Sequence, residues 1–78
     1  MKTKKQLRSE VITEKGRDNS FWHTFKGKEQ KFYCQTFPFS PNTSYIEHEM
    51  GNHDIMYQVN TKEDFVNFLY ENQNIINK

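Results

Sequence analysis

The segment 61–77 has the pattern of an amphipathic helix, which is stable only where its apolar stripe is buried against another part of the fold. Four apolar residues recur at a spacing that places their side chains on one helical face: Phe65, Phe68, Leu69 and Ile76. We therefore predict a C-terminal helix over 61–76, with these four residues buried against a layer formed by upstream segments.

The start of this helix is marked by side chains that can satisfy its free backbone N–H groups. The hydroxyl of Thr61 can accept a hydrogen bond from the N–H of Asp64, and the carboxylate of Asp64 can accept one from the N–H of Thr61. Glu63 and Asp64 also place negative charge at the positive end of the helix dipole. The sequence thus predicts Thr61 as the N-cap residue.

The middle of the chain has the alternation of a β-hairpin. Segment 21–25 places Phe21 and Phe25 on one face and Trp22 on the other, and segment 31–37 alternates in the same way. We predict that the two segments pair as antiparallel strands with aromatic side chains on both faces. One face must pack on the C-terminal helix, so we expect either Trp22 or the pair Phe21 and Phe25 in the core. The other face is then exposed or covered by a partner.

An earlier strand is predicted by segment 9–15, which contains three consecutive β-branched residues at 11–13. Turn-forming residues at 16–20 separate it from the hairpin. Segment 1–8 holds four cations and two apolar residues, Met1 and Leu7. We expect this basic N-terminal segment either to fray or to lead into the first strand.

Two structures fit the segment that follows Ser44. Ser44 and Glu47 form a second capping-box pattern, which would begin a short helix that Gly51 ends. Alternatively, strands at 45–50 and 55–59 are joined by a turn. The alternation of apolar and other residues over 55–59 favours this second hairpin.

Several strands followed by one helix are typical of an α+β domain. We predict a single small domain over residues 1–78, built as an antiparallel β-meander of four to five strands with one C-terminal α-helix packed on one face. Its core must be largely aromatic, because hydrophobic residues make up only 33% of the chain while Phe, Tyr and Trp alone make up 15%. Each aromatic side chain buries about 150–250 Å², which compensates for scarce aliphatic residues.

The composition also indicates a compartment and an origin. Cys34 is the single cysteine, so the chain can form no intramolecular disulfide, as is typical of proteins in a reducing compartment. No apolar run approaches the roughly 20 residues of a membrane-spanning helix. We therefore expect a cytoplasmic protein with no membrane partner. The chain has no alanine and is rich in residues with A/T-rich codons, which favours a low-GC bacterium, its phage or a mobile element.

The acidic segment 47–54 contains the densest group of metal-capable side chains. His48 and His53 occur in the spacing H-E-x-x-x-H, which is one residue longer than the helical zinc pattern. On a helix the two rings would not share a face, and on a hairpin a third ligand would have to come from a neighbouring acid. We expect a solvated turn with no metal and no cofactor.

Cys34 and His23 fall on neighbouring predicted strands, where they could form a nucleophile and a base. No residue pattern supplies a group that orients the base or forms an oxyanion hole. A lone cysteine among aromatic residues is more often a small buried hydrophobe. We identify no catalytic residue, and we expect that the protein is not an enzyme.

Cations and aromatic residues are interleaved in the first third of the chain. Residues 1–31 hold nine Lys and Arg and four acids, a net charge of +5, whereas residues 32–78 hold two Lys and six acids, a net charge of −4. This imbalance either marks a binding surface or reflects pairing of the two halves within the fold. The residues predicted to bind a partner are Arg17, Phe21, Trp22, Phe25, Lys26, Lys28, Lys31 and Tyr33.

This set of residues suits two functions, unless the aromatic residues are simply the core. The first is a small non-enzymatic module that binds another protein as a regulator or inhibitor, because Trp, Tyr and Arg dominate interface hot spots. A homodimer joined through its oppositely charged halves is a variant of it. The alternative is nucleic-acid binding, in which aromatic rings stack on bases and lysines neutralise phosphates. Lys26, Lys28 and Lys31 on one face with exposed aromatic residues would favour this alternative.

Overall fold

The computed structural model describes residues 1–27, 31–40, 43–48 and 55–76 of the 78-residue chain. These residues form five strands and three helices, which we number in chain order. The elements are α1 (Lys4–Glu10), β1 (Ile12–Lys15), β2 (Phe21–Lys26), β3 (Lys31–Thr36), β4 (Ser44–His48), β5 (Ile55–Val59), α2 (Lys62–Glu71) and α3 (Gln73–Ile76).

The five strands form one antiparallel sheet in the order β1-β2-β3-β4-β5. Each strand therefore pairs with its neighbours in sequence, which confirms the predicted meander and the first hairpin. In that hairpin Phe25 lies opposite Phe32. The second hairpin is also confirmed, and the short helix considered for the same segment is wrong, because Ser44 pairs with Val59 across β4 and β5.

The core lies between one face of the sheet, which we call the inner face, and the helices. The ring of Phe68 in α2 packs 6.0 Å from that of Phe32 in β3, measured between centroids. It lies 5.1 Å from the ring of the partly buried Tyr57 in β5. The buried hydrophobic residues are Leu7, Val11, Phe25, Phe32, Cys34, Ile46, Val59, Phe65, Val66, Phe68 and Leu69. The predicted aromatic character is confirmed at Phe65 and Phe68, and the aliphatic Leu69 is buried as predicted.

The predicted C-terminal helix is present, but it is divided at Asn72 into α2 and α3. The backbone N–H and the side-chain amide of Asn72 both donate to the carbonyl of Phe68, at 3.0 and 2.9 Å. Asparagine competes in this way with continued helical hydrogen bonding. The side chain of Ile76, which was predicted to be buried, lies outside the part of the structure that can be described.

The predicted N-cap of α2 is confirmed. The hydroxyl of Thr61 accepts from the N–H of Asp64 at 3.3 Å, and the carboxylate of Asp64 accepts from the N–H of Thr61 at 3.2 Å. The same carboxylate accepts from the N–H of Asn60 at 2.8 Å. Asp64 thus serves two backbone donors at once and fixes the path by which the chain enters the helix.

Replacing Thr61 with alanine removes the hydroxyl that caps α2. We expect Thr61→Ala to lower the free energy of unfolding by about 1 kcal/mol, the usual cost of losing an N-cap side chain. Chemical denaturation monitored by circular dichroism would measure it. Thr43→Ala is the matched control, because its hydroxyl donates only to the exposed carbonyl of Ser40, and it should change the free energy by less than about 0.5 kcal/mol. Equal effects of the two substitutions would contradict the capping role.

The basic N-terminal segment forms a helix, which neither sequence-based expectation anticipated. Thr3 and Gln6 form a capping box at its start, and the side chain of Leu7 is fully buried. Arg8 forms two hydrogen bonds, of 2.5 and 2.7 Å, with the carboxylate of Glu63 at the start of α2. The helix extends to Glu10, so the first strand begins at Ile12 instead of residue 9. The ion pair of Arg8 with Glu63 therefore joins the basic and acidic halves of the chain within one molecule.

The predicted turn at 16–20 is confirmed. The N–H of Gly16 donates to the carbonyl of Ser20 at 2.8 Å. Asp18 and Asn19 adopt positive φ angles of 55° and 60°, which their short polar side chains tolerate. A Cβ atom at Gly16 would lie 2.6 Å from the Ser20 hydroxyl and 3.1 Å from the Trp22 ring, so a larger residue there would force these side chains to move.

Among the described residues, none of the helices has the length and apolar character that crossing a membrane requires.

Candidate binding face

The side of the sheet opposite α2 carries a group of exposed aromatic and charged side chains. Register places them together, because residues directly opposite each other in an antiparallel sheet point to the same side. Glu14 lies opposite Trp22, Thr24 opposite Tyr33, and Tyr33 in turn opposite Glu47. We call this surface the outer face and define it by Ile12, Glu14, Trp22, Thr24, Lys26, Lys31, Tyr33, Gln35, Tyr45, Glu47 and Gln58.

Trp22 is the largest aromatic residue on the outer face, and it lies on β2 beside Tyr33 of β3. Its ring is 6.4 Å from that of Tyr33 between centroids, at an interplanar angle of 45°. Trp22 and Tyr45 each keep 40% of their surface exposed, and Ile12 keeps 58%. Large apolar side chains that remain exposed on one contiguous surface are unusual in a small domain and typically mark an interaction site.

Shallow clefts lie on both sides of the Trp22 ring. One, of about 370 Å³, runs towards β4 and is bordered by Tyr45 and Glu47. The other, of about 380 Å³, is bordered by Tyr33, Lys31 and Glu14. The indole ring therefore forms a ridge between two hollows, and a complementary surface could bury it from both sides.

The charges on the outer face are balanced. Among its described residues, Lys26 and Lys31 lie opposite each other at the end of the first hairpin, and Glu14 and Glu47 lie on either side of the aromatic residues. Two lysines and two glutamates leave this surface without net charge. Its electrostatic pattern consequently favours a partner that carries both signs over a uniformly charged polymer.

The structure brings four of the eight predicted partner-binding residues together on the outer face: Trp22, Tyr33, Lys26 and Lys31. Phe25 is not available on any surface, because it points to the inner face and only 1% of it is exposed. Phe21 is partly exposed but belongs to the inner side, since it pairs with Thr36.

Two further predicted residues lie away from the outer face or cannot be placed. Arg17 is exposed in the turn before β2, and Lys28 lies outside the described residues. Sequence reasoning missed Ile12 and Tyr45. Strand alternation would have grouped Tyr45 with Glu47, but only the pairing of β3 with β4 brings them beside Tyr33.

Cys34 and His23 lie directly opposite each other on β3 and β2, as the predicted hairpin requires. Burial, with a smaller contribution from Asp64, raises the pKa of the Cys34 thiol to about 12. The ring nitrogens of His23 lie 3.0 Å from the hydroxyls of Thr13 and Thr36. Both ring nitrogens of His23 are thus hydrogen-bonded to threonine hydroxyls, and the thiol of Cys34 stays protonated. The two residues therefore do not form an activated nucleophile.

The environment of His23 predicts a dependence of stability on pH. Burial, and secondarily the charge of Lys62, lowers the pKa of its ring from 6.5. The unfolded chain therefore binds the proton more readily than the folded one, and stability is lost as pH falls through the pKa of the unfolded state. We expect the free energy of unfolding to decrease from about pH 7 to about pH 5. Denaturation at both values and an NMR titration of the ring would test this, and a ring that titrates above pH 6.5 would contradict it.

The acidic segment 47–54, considered above for metal binding, lies largely outside the described residues, including the side chain of His48 and all of His53. Within the residues that are described, no group of three or more His, Cys, Asp or Glu side chains is arranged to hold a metal ion. The expectation that segment 47–54 is a solvated turn without a metal ion therefore stays a prediction.

No protein-family model, curated protein sequence or solved structure matches this chain. Its function must be argued from the surface described above.

Proposed function

We propose that the protein is a small non-enzymatic binding module that docks to another protein through the outer face. The observation that carries the proposal is Trp22, an exposed indole between two clefts, with Tyr33 and Tyr45 beside it. Tryptophan and tyrosine are the residues most enriched at the energetic centres of protein interfaces. They bury a large area with few rotatable bonds and so lose little conformational entropy on binding.

The balanced charges support a protein partner in particular. Lys26, Lys31, Glu14 and Glu47 surround the aromatic residues, as polar groups surround the centre of a typical interface. A surface of this kind gives specificity through charge pairing at its edge and affinity through burial at its centre. It is also self-complementary in charge, so a homodimer formed through two outer faces is a variant of the same proposal.

We assign the module a role as a regulator or inhibitor in the cytoplasm of a low-GC bacterium, or one encoded by its phage or a mobile element. Its residue usage supports the origin, and its single cysteine, Cys34, supports a reducing compartment. A docking surface without an activated nucleophile acts most simply by occupying a partner's surface.

The second candidate function is binding of single-stranded nucleic acid by the same face. The observation that favours it is that Lys26 and Lys31 share the outer face with Trp22 and Tyr33, as stacking of bases and neutralisation of phosphates would require. Glu14 and Glu47 oppose it, because carboxylates on the same surface repel phosphates. We therefore place it after the protein partner.

A capture experiment separates the two candidates. The immobilised chain is exposed to a lysate of a low-GC bacterium with and without nuclease, in parallel with Trp22→Ala and Tyr70→Ala. Tyr70 is the matched control, because it is an aromatic residue of similar exposure, 44%, on α2 instead of the sheet. We expect a captured protein that resists nuclease, is lost with Trp22→Ala and is retained with Tyr70→Ala.

Other outcomes have definite meanings. Capture that disappears with nuclease supports the second candidate. In that case removal of Lys26 and Lys31 should reduce the salt dependence of binding, with a change of slope of about 1.4 if each neutralises one phosphate of a single strand. Capture that is unaffected by Trp22→Ala would contradict both uses of the outer face.

A further inference from the structure

An open cavity of about 460 Å³ lies between the inner face of the sheet and the start of α2. Its size falls within the range of pockets that hold small molecules. Its lining combines side chains of β1, β2 and β3 with the residues that lead into α2. These residues are Thr13, Phe21, His23, Thr36, Phe37, Pro38, Asn60, Thr61 and Lys62.

The walls of the cavity are apolar and flat. The rings of Phe21 and Phe37 and the pyrrolidine of Pro38 line it, and Phe21 remains exposed although it points to the inner side. An exposed phenylalanine on the core side of a sheet leaves apolar surface in water that a ligand could cover. These walls suit a planar aromatic ring.

The floor of the cavity is polar and fixed in position. The buried imidazole of His23 lies 3.0 Å from the buried hydroxyl of Thr36, and its other nitrogen lies 3.0 Å from the hydroxyl of Thr13. Because burial lowers the pKa of His23, the ring is neutral and the floor carries no charge at neutral pH. The hydroxyls retain lone pairs and can reorient their protons to suit a polar group of a ligand.

Among the described residues that line the cavity, Lys62 is the only one with a charged side chain, and none has a carboxylate. The charge of Lys62 acts on the imidazole of His23, because it contributes to lowering the pKa of that ring. The acids that follow it are held elsewhere: Glu63 bonds to Arg8, and Asp64 accepts from the backbone N–H groups of Asn60 and Thr61. The described lining therefore carries one positive charge, which favours an anion over a cation.

From these features we propose that the cavity binds a small aromatic carboxylate, with its ring between Phe21 and Phe37 and its carboxylate near Lys62. Apolar walls with a single cation select an anion that carries one flat apolar group, because the ring gains burial and the carboxylate gains a charge-assisted contact. This binding site shares Phe37 with the cleft beside Tyr45, but its other lining residues are different. Neither proposal depends on the other.

The probe is sodium benzoate, titrated into the isotopically labelled full chain and followed by amide NMR. We expect saturable shifts at residues 21, 37 and 60–62, with a dissociation constant on the order of 1 mM for a ligand of this size. Benzamide, its neutral counterpart of the same shape, should bind more weakly, by up to about fivefold, because it lacks the charge. This comparison uses the unaltered protein and so does not depend on a variant's stability.

Two matched variants test the role of the cation. Lys62→Met keeps the aliphatic stem and should weaken benzoate binding by up to about fivefold, whereas Lys26→Met removes a lysine of the outer face and should leave binding unchanged. Any of four results would overturn the proposal. Two concern affinity: benzoate and benzamide bind equally well, or Lys62→Met binds benzoate as well as the unaltered chain does. Two concern the NMR shifts: they are confined to the outer face, or none appears at about 20 mM benzoate.

Discussion

Phe68→Ala is expected to remove about a quarter or more of the protein's free energy of unfolding. Phe68 is 4% exposed and packs on the rings of Phe32 and Tyr57, so its truncation leaves a cavity between α2 and the sheet. Such substitutions cost about 3–5 kcal/mol. A domain of 78 residues has a free energy of unfolding of only about 4–12 kcal/mol, at the usual contribution per residue. Urea denaturation followed by circular dichroism would show the transition shifted to a clearly lower urea concentration.

Phe39→Ala provides the control for that substitution. Phe39 has the same side chain, but it is 80% exposed in the turn after β3, so its truncation should change the free energy of unfolding by less than about 0.5 kcal/mol. A loss of less than about 1 kcal/mol for Phe68→Ala would show that α2 does not pack on the sheet as described.

Truncating the aromatic residues of the outer face is expected to abolish partner binding while leaving the fold intact. Hot-spot residues contribute at least about 2 kcal/mol each, so Trp22→Ala should weaken binding of the captured protein at least about 30-fold. Tyr45 lies on the other side of the same cleft, so adding Tyr45→Ala to Trp22→Ala should weaken partner binding further. Titration calorimetry with the purified partner would measure both.

The control for this prediction is again Tyr70→Ala, which should bind with unchanged affinity. Circular dichroism must show that the outer-face variants remain folded, which we expect because Trp22 and Tyr45 are each 40% exposed. Folded variants that bind within about threefold of the unaltered chain would exclude the outer face as the docking surface.

Features that depend on neighbouring residues in the sequence were predictable. The capping box of α2 involves only Thr61 and Asp64, and the first hairpin follows from alternation within 21–37. The second hairpin had a competing pattern at Ser44 and Glu47, yet the alternation of 55–59 identified it. These interactions span few residues, so local pattern and propensity are sufficient to determine them.

Features that depend on distant residues were not predictable. α1 contains one buried residue, Leu7, and its local capping box of Thr3 and Gln6 is supplemented by contacts with distant residues, such as the pair of Arg8 with Glu63. Likewise, alternation grouped Phe25 with Phe21, but only the position of α2 decided that their face is the inner one. For the same reason only part of the outer face was predicted. Trp22, Tyr33, Lys26 and Lys31 lie in one hairpin and were identified, whereas Ile12 and Tyr45 lie on other strands and were missed.

The order of the elements along the chain has a consequence for synthesis on the ribosome. All five strands precede α2, and each pairs with a neighbour in sequence, so the sheet can assemble as it emerges. Its inner face, with Phe25 and Phe32, then stays exposed to solvent until residues 62–71 leave the exit tunnel and form α2. A nascent chain that pauses before Thr61 would therefore present an uncovered apolar sheet, the kind of surface that chaperones bind and proteases recognise.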